Sequence, residues 1–259
     1  MPATGGEGRP GGGPGGGPSG MGGGASGGGG APDLREKGGL RQGQPQFSDT
    51  RLFMQLLVFN NCPNPQDLLE AVKPWNQKTV VYAAVHDPHA AGLLTISQDP
   101  VFFPTTFRNL LNNTPFTRNL TIKPEFSFFG RTYSLGYEPD LQDTLIDRPL
   151  RTATNPLWPW AVWYPLRRKG SFAQLPDDQQ RAILAEHGRL GHAFGSADLG
   201  HDIRLACHGL DTHDNDFLIA LIGKDLHPLS ALVQTMRKTQ QTSLYLERLG
   251  PFFVGYALR

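Results

Sequence analysis

The alternation of strand-like and helix-like segments constrains the fold of this chain more than any other feature of its sequence. Apolar runs typical of strands lie at residues 55–60, 79–85, 124–137, 158–165, 202–207, 216–222 and 251–258. Helical patterns lie at residues 64–74, 99–113, 176–187 and 225–236. We read the order strand, helix, strand, strand, helix, strand over residues 52–150 and again over 158–258. This order predicts an α+β fold of two ferredoxin-like repeats, whose antiparallel sheets make a dimeric α+β barrel with outer helices.

The first 46 residues have a different composition from the rest of the chain. They contain 20 of the 32 glycines and almost no large apolar residue. Such a segment cannot offset the entropy lost on ordering, so we predict a disordered Gly/Pro-rich tail over residues 1–46. An N-terminal half at 47–150 and a C-terminal half at 151–259 follow, and together they can bury a sizeable core.

Charge and cysteine content narrow the classes of function. Lys and Arg number 24 against 23 Asp and Glu, without a block of like charge, so neither nucleic acid nor an anionic membrane is an expected partner. Cys62 and Cys207 match no disulfide scaffold and no CxxC spacing, which suits a reducing cytosol. No apolar run approaches the ~20 residues of a spanning helix, and no secretion signal is visible, so we predict a cytoplasmic protein that binds a small molecule.

Residues 181–217 gather an unusual number of histidines. Five of the eight fall here, namely His187, His192, His201, His208 and His213. His187 follows Ile183 by four residues and Leu184 by three, so its imidazole should project from the apolar side of a helix. A neutral imidazole in that position can ligate a metal or haem, although a core histidine with a satisfied side chain is the commoner case. Zinc is less favoured, because neither HExxH nor CxxC is present.

Three further features allow two interpretations each. Arg204 lies on a predicted strand, where its charge requires either an acid such as Asp216 or a pocket. Tyr164 ends the strand at 158–165 and is either a core aromatic residue or a redox-active phenol. Arg167 and Arg168 follow it directly and either bind carboxylates or belong to a solvated loop.

Four segments carry a family resemblance. They are YPLRRKG at 164–170, LPDDQQRAILAEHG at 175–188, DNDFLIALIG at 214–223 and LERLGPFFVGYAL at 246–258. In this order and near this spacing they resemble the chlorite dismutase-like haem protein family, and most closely its coproheme decarboxylase branch. The resemblance covers about the last hundred residues. It implies a ferredoxin-like repeat fold, commonly a homopentamer, and an iron porphyrin, haem b or coproheme, as the bound group.

The resemblance also implies roles for single residues. His187, in the stretch EHG that would close its helix, matches the proximal haem ligand, and Glu247 is a candidate for the acidic partner of that ligand. Tyr164 matches the tyrosine of the Y-P-M motif, where a tyrosyl radical starts removal of a propionate carboxylate. Arg167 and Arg168 stand where that branch has a serine and a lysine near the propionates.

Arg204 departs from the decarboxylase pattern. It stands twelve residues before Asp216, where the chlorite-decomposing branch carries its distal arginine. The first expectation is therefore peroxide-dependent decarboxylation of coproheme through Tyr164, with Arg204 on the distal side. One alternative is dismutation of chlorite to chloride and dioxygen, in which Arg204 does the chemistry and Tyr164 is structural. A second alternative is a non-catalytic haem carrier or sensor.

Overall fold

The structure, a computed structural model, describes residues 31–75, 77–114 and 116–259. The strands are β1 (Glu36–Arg41), β2 (Gln44–Ser48), β3 (Phe53–Asn60), β4 (Lys78–Ala84), β5 (Ala91–Ser97), β6 (Thr121–Ile122), β7 (Phe128–Thr132), β8 (Trp160–Arg168), β9 (His201–Ala206), β10 (Phe217–Gly223), β11 (Leu246–Leu249) and β12 (Phe253–Leu258). The α-helices are α1 (Pro65–Val72), α2 (Arg108–Asn113), α3 (Arg148–Thr154), α4 (Gly170–Ala173), α5 (Asp177–Ser196), α6 (Leu226–Met236) and α7 (Gln240–Tyr245). Short 3₁₀ or π-helical turns occur at Lys73–Trp75, Pro100–Phe102, Phe103–Phe107, Thr117–Asn119, Pro124–Phe126 and Asp143–Asp147.

The main sheet closes on itself. Its path runs β10-β9-β7-β3-β5-β4-β12-β8-β11, and β10 also pairs with β8, so β8, β10, β9, β7, β3, β5, β4 and β12 form a ring of antiparallel strands. Closure pairs the strand edges that an open sheet would leave without hydrogen-bond partners.

Each half of the ring has ferredoxin-like order. The N-terminal strands lie in the order β7-β3-β5-β4 and the C-terminal strands in the order β12-β8-β10-β9, which is 4-1-3-2 in both halves. The predicted α+β architecture is confirmed. The third N-terminal strand, β5, was missing from the predicted runs, because a short continuous apolar segment does not reveal its type by periodicity. Its pairing with β3 and β4 decides it. The predicted boundary at residue 150 falls inside α3.

The interior of the barrel is filled by side chains. Trp163, Tyr82, Phe128 and Met54 are among the largest fully buried residues. Phe253 lies across Gly92, where an added Cβ would stand 2.6 Å from the Phe253 Cζ atom. A barrel packed to this density leaves no room for a porphyrin, so a site for one must lie on the outer surface.

The two outer faces are covered to different degrees. On the N-terminal half, aromatic residues of the Pro100–Phe107 turns pack over the sheet in a buried cluster. On the C-terminal half, Leu229 and Leu232 of α6 are buried against Val162 and Leu221. The long helix α5 is the exception, because Ile183 is the one buried residue among its twenty. Within the described ranges, no helix has the length and apolar character needed to cross a membrane.

Part of the segment predicted to be a disordered tail is structured. Residues 1–30 lie outside the described ranges, but β1 and β2 pair as an antiparallel hairpin at residues 36–48. The hairpin is tied to the barrel through Arg131, whose Nη1 lies 2.6 Å from Glu36 Oε1, and through the Gly39 N–H, which donates to the Glu138 carbonyl at 2.8 Å. The predicted end of the tail at residue 46 was therefore wrong, because these tertiary contacts offset the ordering entropy that local composition cannot.

Candidate functional site: the outer face of the C-terminal half

His187 lies in the middle of α5. The helix starts at Asp177, and Asp177 and Asp178 place negative charge at the positive end of its dipole. It continues to Ser196, so the prediction that His187 closes its helix was wrong. The imidazole is half-buried, on the same side as Ile183 as predicted. Burial, and after it the positive charges of Arg168 and Arg204, lowers the pKa of His187 to about 4, so the ring is neutral at neutral pH.

The hydrogen-bond partner of His187 is a threonine. Its Nδ1 lies 3.2 Å from the Thr239 hydroxyl oxygen, and Thr239 is buried at the junction of α6 and α7. Glu247, the acid considered for this role, lies instead near Arg167, with 3.6 Å between its Oε2 and the arginine Nε. The candidate role of Glu247 was therefore wrong. Within the described ranges the Nε2 atom of His187 has no protein partner, so it is the nitrogen available to a ligand.

Tyr164 and Arg204 lie in one row across three strands. Tyr164 of β8 pairs with Ile219 of β10, and Ile219 pairs with Arg204 of β9. Directly paired residues of antiparallel strands project from the same face, so all three side chains point outward, away from the barrel interior. Residues on alternate positions, such as Trp163 and Ile203, point inward. The register thus brings together two site residues that are forty positions apart in the chain.

Tyr164 is held in an apolar layer. It is buried, and its ring stacks on Phe252 with 4.8 Å between centroids. Burial, and then the negative charge of Asp202, raises the pKa of the Tyr164 phenol well above its usual range. The phenol is therefore protonated at neutral pH.

Arg204 has an acidic partner, although a different one from that considered. Its Nε lies 3.0 Å from Asp202 Oδ2, on the same strand and the same face. Burial disfavours the charge, but the adjacent Asp202 carboxylate raises the pKa of Arg204 overall. Asp216, which was named as one example of such an acid, accepts instead from the Arg168 backbone N–H at 2.8 Å. The guanidinium remains partly exposed, which leaves part of its donor set open to an anion.

The adjacent arginines Arg167 and Arg168 face opposite sides of β8. Arg167 forms ion pairs with Asp214 and Glu247. Arg168 points to the same face as Tyr164, and its guanidinium lies 4.8 Å from the Phe217 ring centroid and 5.0 Å from that of Phe172. The geometry does not support the cofactor-binding role expected of Arg167, because successive residues of a strand project to opposite faces.

Arg168 has an unpaired N–H group to which an anion could bind. Among the described residues its buried Nε atom has no hydrogen-bond partner, and no carboxylate forms an ion pair with its side chain. Burial lowers the pKa of Arg168 from its usual value. A buried guanidinium N–H without an acceptor is unfavourable unless a ligand supplies one. A propionate carboxylate has the charge and the paired oxygens that this side chain can bind.

The candidate place for a flat ligand is the outer face between α5 and the sheet. Along β10, the inward residues Leu218 and Ala220 are fully buried, whereas the outward residues Phe217 and Ile219 are only half-buried. The helix carrying His187 packs on α6, α7 and β9, and the strands bearing Tyr164 and Ile219 are not among its main contacts. This outer face combines an apolar floor, a neutral imidazole and two cations, a donor set that suits an iron porphyrin. A cavity of about 110 Å³ at one barrel end, bordered by Phe126 and Phe253, is too small for one.

The other histidines of the 181–217 stretch are separate from this site. His192 lies 3.4 Å from Ser196 within α5, and His201 opens β9 and stacks on Trp158. His192 therefore belongs to a helix and His201 to a strand, whereas His208 and His213 lie in turns that follow β9. Across the described residues, no three His, Cys, Asp or Glu side chains form a cluster able to hold a metal ion.

The sequence comparison identifies the family. The family model described as chlorite dismutase matches residues 72–258, which include the C-terminal half of the barrel and all strands of the N-terminal half of the ring except β3. The chain belongs to the chlorite dismutase family. Comparison with individual curated proteins gave no significant match. Members of the chlorite dismutase family are haem-dependent enzymes, and haem is the cofactor that membership assigns to the chain.

Solved structures similar to this family member show the same fold. A haem-binding protein from Thermus thermophilus is 19% identical, with a TM-score of 0.64 over 81% of this chain and 94% of that one. A putative chlorite dismutase is 11% identical, with a TM-score of 0.64 over 81% and 96%. Chlorite dismutase from Candidatus Nitrospira defluvii in complex with imidazole is 15% identical, with a TM-score of 0.60 over 82% and 93%. At these identities the likeness supports the fold alone.

Sequence reasoning missed two residues of this candidate site. Asp202 was part of a predicted strand, and its spacing of two from Arg204 was the available signal for a shared face. Thr239 lies 52 positions from His187, and a lone threonine between two helices carries no sequence signal for a contact with a distant imidazole.

Proposed function

We propose that this chain is a haem- or coproheme-binding oxidoreductase that decarboxylates iron coproporphyrin with peroxide. The observation that carries the proposal is the buried, unpaired Nε of Arg168 on the face that also bears Tyr164. A propionate bound by Arg168 would lie along the same strand as the phenol, four residues away. The proposed carboxylate-binding residue, Arg168, and the candidate redox residue, Tyr164, thus lie close together on one strand, β8.

His187 is the residue that would hold the iron of a bound porphyrin. Its Nδ1 is engaged by Thr239 at 3.2 Å, and burial with the neighbouring cations keeps its pKa at about 4. A neutral imidazole with one nitrogen anchored and the other available has the state that iron ligation requires. Iron porphyrin, when bound, supplies the redox chemistry with a small oxidant.

Tyr164 is the proposed residue that is oxidised by one electron. Because its pKa is raised, the phenol keeps its proton at neutral pH and must release the proton together with the electron. The negative charge of Asp202 contributes to the raised pKa of this phenol, and Asp202 is itself paired with Arg204 at 3.0 Å. Stacking on Phe252 holds the ring in a single orientation and keeps water away from it.

Two measurements test the decarboxylase proposal. Purified protein given coproheme should develop a Soret band that His187→Ala abolishes. Peroxide added to the complex should then remove two carboxylates from the porphyrin, as followed by mass spectrometry, and Tyr164→Phe should bind coproheme normally but leave its mass unchanged. Tyr256→Phe is the matched control, because Tyr256 is exposed on β12. An unchanged porphyrin mass in the wild-type complex would contradict the proposal.

Chlorite dismutation is the second candidate function. It is favoured by Arg204, a permanently charged and partly exposed guanidinium on the same outer face as Tyr164. Such a group can hold an oxyanion through its free N–H donors. Release of dioxygen on addition of chlorite, lost in Arg204→Ala and kept in Arg167→Ala, would establish this activity. Absence of dioxygen from the haem-loaded protein would exclude it.

We further propose a cytoplasmic homopentamer that uses peroxide or chlorite as its small oxidant. Cys62 and Cys207 are both free and buried, which suits a reducing compartment. Light scattering coupled to gel filtration would give the number of subunits, and a mass other than that of five chains would contradict the pentamer. Cell fractionation tests the compartment.

A further inference from the structure

The junction between α6 and α7 forms two hydrogen bonds to α5 at the position of His187. Two adjacent residues of α5 each bond to one of two adjacent residues at this junction. His187 Nδ1 lies 3.2 Å from Thr239 Oγ1, and Glu186 Oε2 accepts from the Gln240 backbone N–H at 3.1 Å. Thr239 is 2% exposed, so no water competes for its hydroxyl. The two bonds together fix both the position and the rotation of the imidazole.

The hydrogen-bonding capacity of Thr239 assigns the direction of its bond to His187. A hydroxyl has one proton to donate and lone pairs that accept. The nearest acceptor is the Met236 carbonyl, 2.8 Å from Thr239 Oγ1, whereas Thr242 Oγ1 lies farther away at 3.4 Å. With its proton given to Met236, the Thr239 oxygen is an acceptor toward His187. The proton of the neutral imidazole is then on Nδ1, and the lone pair is on Nε2.

We propose that Thr239 is a positioning residue that selects the Nδ1–H tautomer of His187 through a neutral hydroxyl acceptor. The family resemblance implies a carboxylate partner, whereas in this structure no carboxylate of the described residues contacts the ring. A neutral acceptor draws less proton density from Nδ1–H than a carboxylate does. The imidazole is therefore a weaker electron donor through Nε2, and bound iron would be reduced more readily than beside an acid.

The tautomer can be measured without any bound group. In the folded apoprotein, long-range ¹⁵N NMR of His187 should show a protonated Nδ1 and an unprotonated Nε2, and Thr239→Val should move population to the Nε2–H form. Thr239→Ser should keep the wild-type tautomer, because it keeps the hydroxyl. Thr242→Val is the matched control, since Thr242 touches Thr239 but not the ring. An Nε2–H imidazole in the wild type, or a tautomer unaffected by Thr239→Val, would overturn the assignment.

The electronic consequence rests on the proposed haem ligation and is tested separately. In the haem complex, Thr239→Val should weaken haem binding by about tenfold and raise the reduction potential, whereas Thr239→Asp should lower the potential and Thr239→Ser should leave it unchanged. A potential equal in all four proteins overturns the electronic role while leaving haem ligation intact. Wild-type protein that shows the Nδ1–H tautomer but gives no haem complex contradicts the proposed function and not the tautomer assignment.

Discussion

Replacement of Arg168 by methionine should separate stability from porphyrin binding. Arg168→Met keeps the length of the aliphatic stem and removes a guanidinium whose buried Nε has no partner among the described residues. Arg167→Met makes the same chemical change one residue away on the opposite face. A comparison of the two variants therefore tests whether porphyrin binding depends on which face of β8 carries the arginine, and not on positive charge in this region alone.

The magnitudes follow from the surroundings of each side chain. Arg168→Met loses two cation–π contacts, at 4.8 and 5.0 Å, each worth roughly 0.5–1 kcal/mol. Replacement of buried ionic groups by apolar ones of similar volume commonly stabilises a protein by about 1–4 kcal/mol. We therefore expect the apoprotein to lie between about 1 kcal/mol less stable and about 3 kcal/mol more stable than the wild type. At about 2–4 °C per kcal/mol for a chain of this size, the melting temperature should fall by no more than about 4 °C.

Arg168→Met should weaken the binding of coproheme. Loss of a charge-assisted hydrogen bond to a propionate removes about 1.5–3 kcal/mol, which corresponds to a coproheme Kd larger by about 10-fold to 150-fold. Arg167→Met should leave the Kd near its wild-type value and change stability by less than about 1 kcal/mol, since its ion pairs are solvent-exposed. Thermal unfolding of the apoprotein and a Soret titration measure the two quantities.

Two results would refute this reasoning. If Arg167→Met weakens coproheme binding as much as Arg168→Met does, then the opposite faces of β8 do not divide the two arginines by role. If Arg168→Met strongly destabilises the apoprotein, then the guanidinium has a favourable partner in the free protein and is not kept for a ligand.

Two further predictions concern packing and thiol chemistry. Gly92→Ala should destabilise the protein by about 1–3 kcal/mol, because the added Cβ would stand 2.6 Å from Phe253 Cζ. Gly188→Ala on α5, where an added Cβ meets nothing within 4 Å, should instead stabilise the protein by up to about 1 kcal/mol. Denaturation midpoints that are equal in both variants and the wild type would contradict both expectations. Burial raises the pKa of Cys62 to about 11 and that of Cys207 to about 12, so neither thiol should react with Ellman's reagent at pH 8 until the chain unfolds. Rapid labelling of the native protein would contradict this.

Local sequence patterns predicted secondary structure correctly where their period matched that of a strand or a helix. Residues 158–165 and 202–207 have the composition of strands, and in the structure Val162 and Tyr164 share one face of β8 while Arg204 lies opposite Ile203 on β9. Helical spacing correctly put His187 on the side of Ile183. Predictions for segments without periodicity were wrong. The strand β5 was not predicted. Most of the hairpin at 36–48 lies in the predicted disordered tail, and it is ordered by contacts with a distant part of the chain.

The sequence by itself indicated the family, the ferredoxin-like order of elements in the C-terminal half, and the residue types available to a porphyrin site, because these depend on local periodicity and on motif order along the chain. Only the tertiary structure decided which of those residues act together. Strand alternation separated Arg167 from Arg168, register aligned Tyr164 with Arg204, and the approach of the α6–α7 junction gave His187 a threonine in place of Glu247. Partners of this kind are chosen by closure of the barrel and packing of its helices, which bring together positions that no local pattern connects.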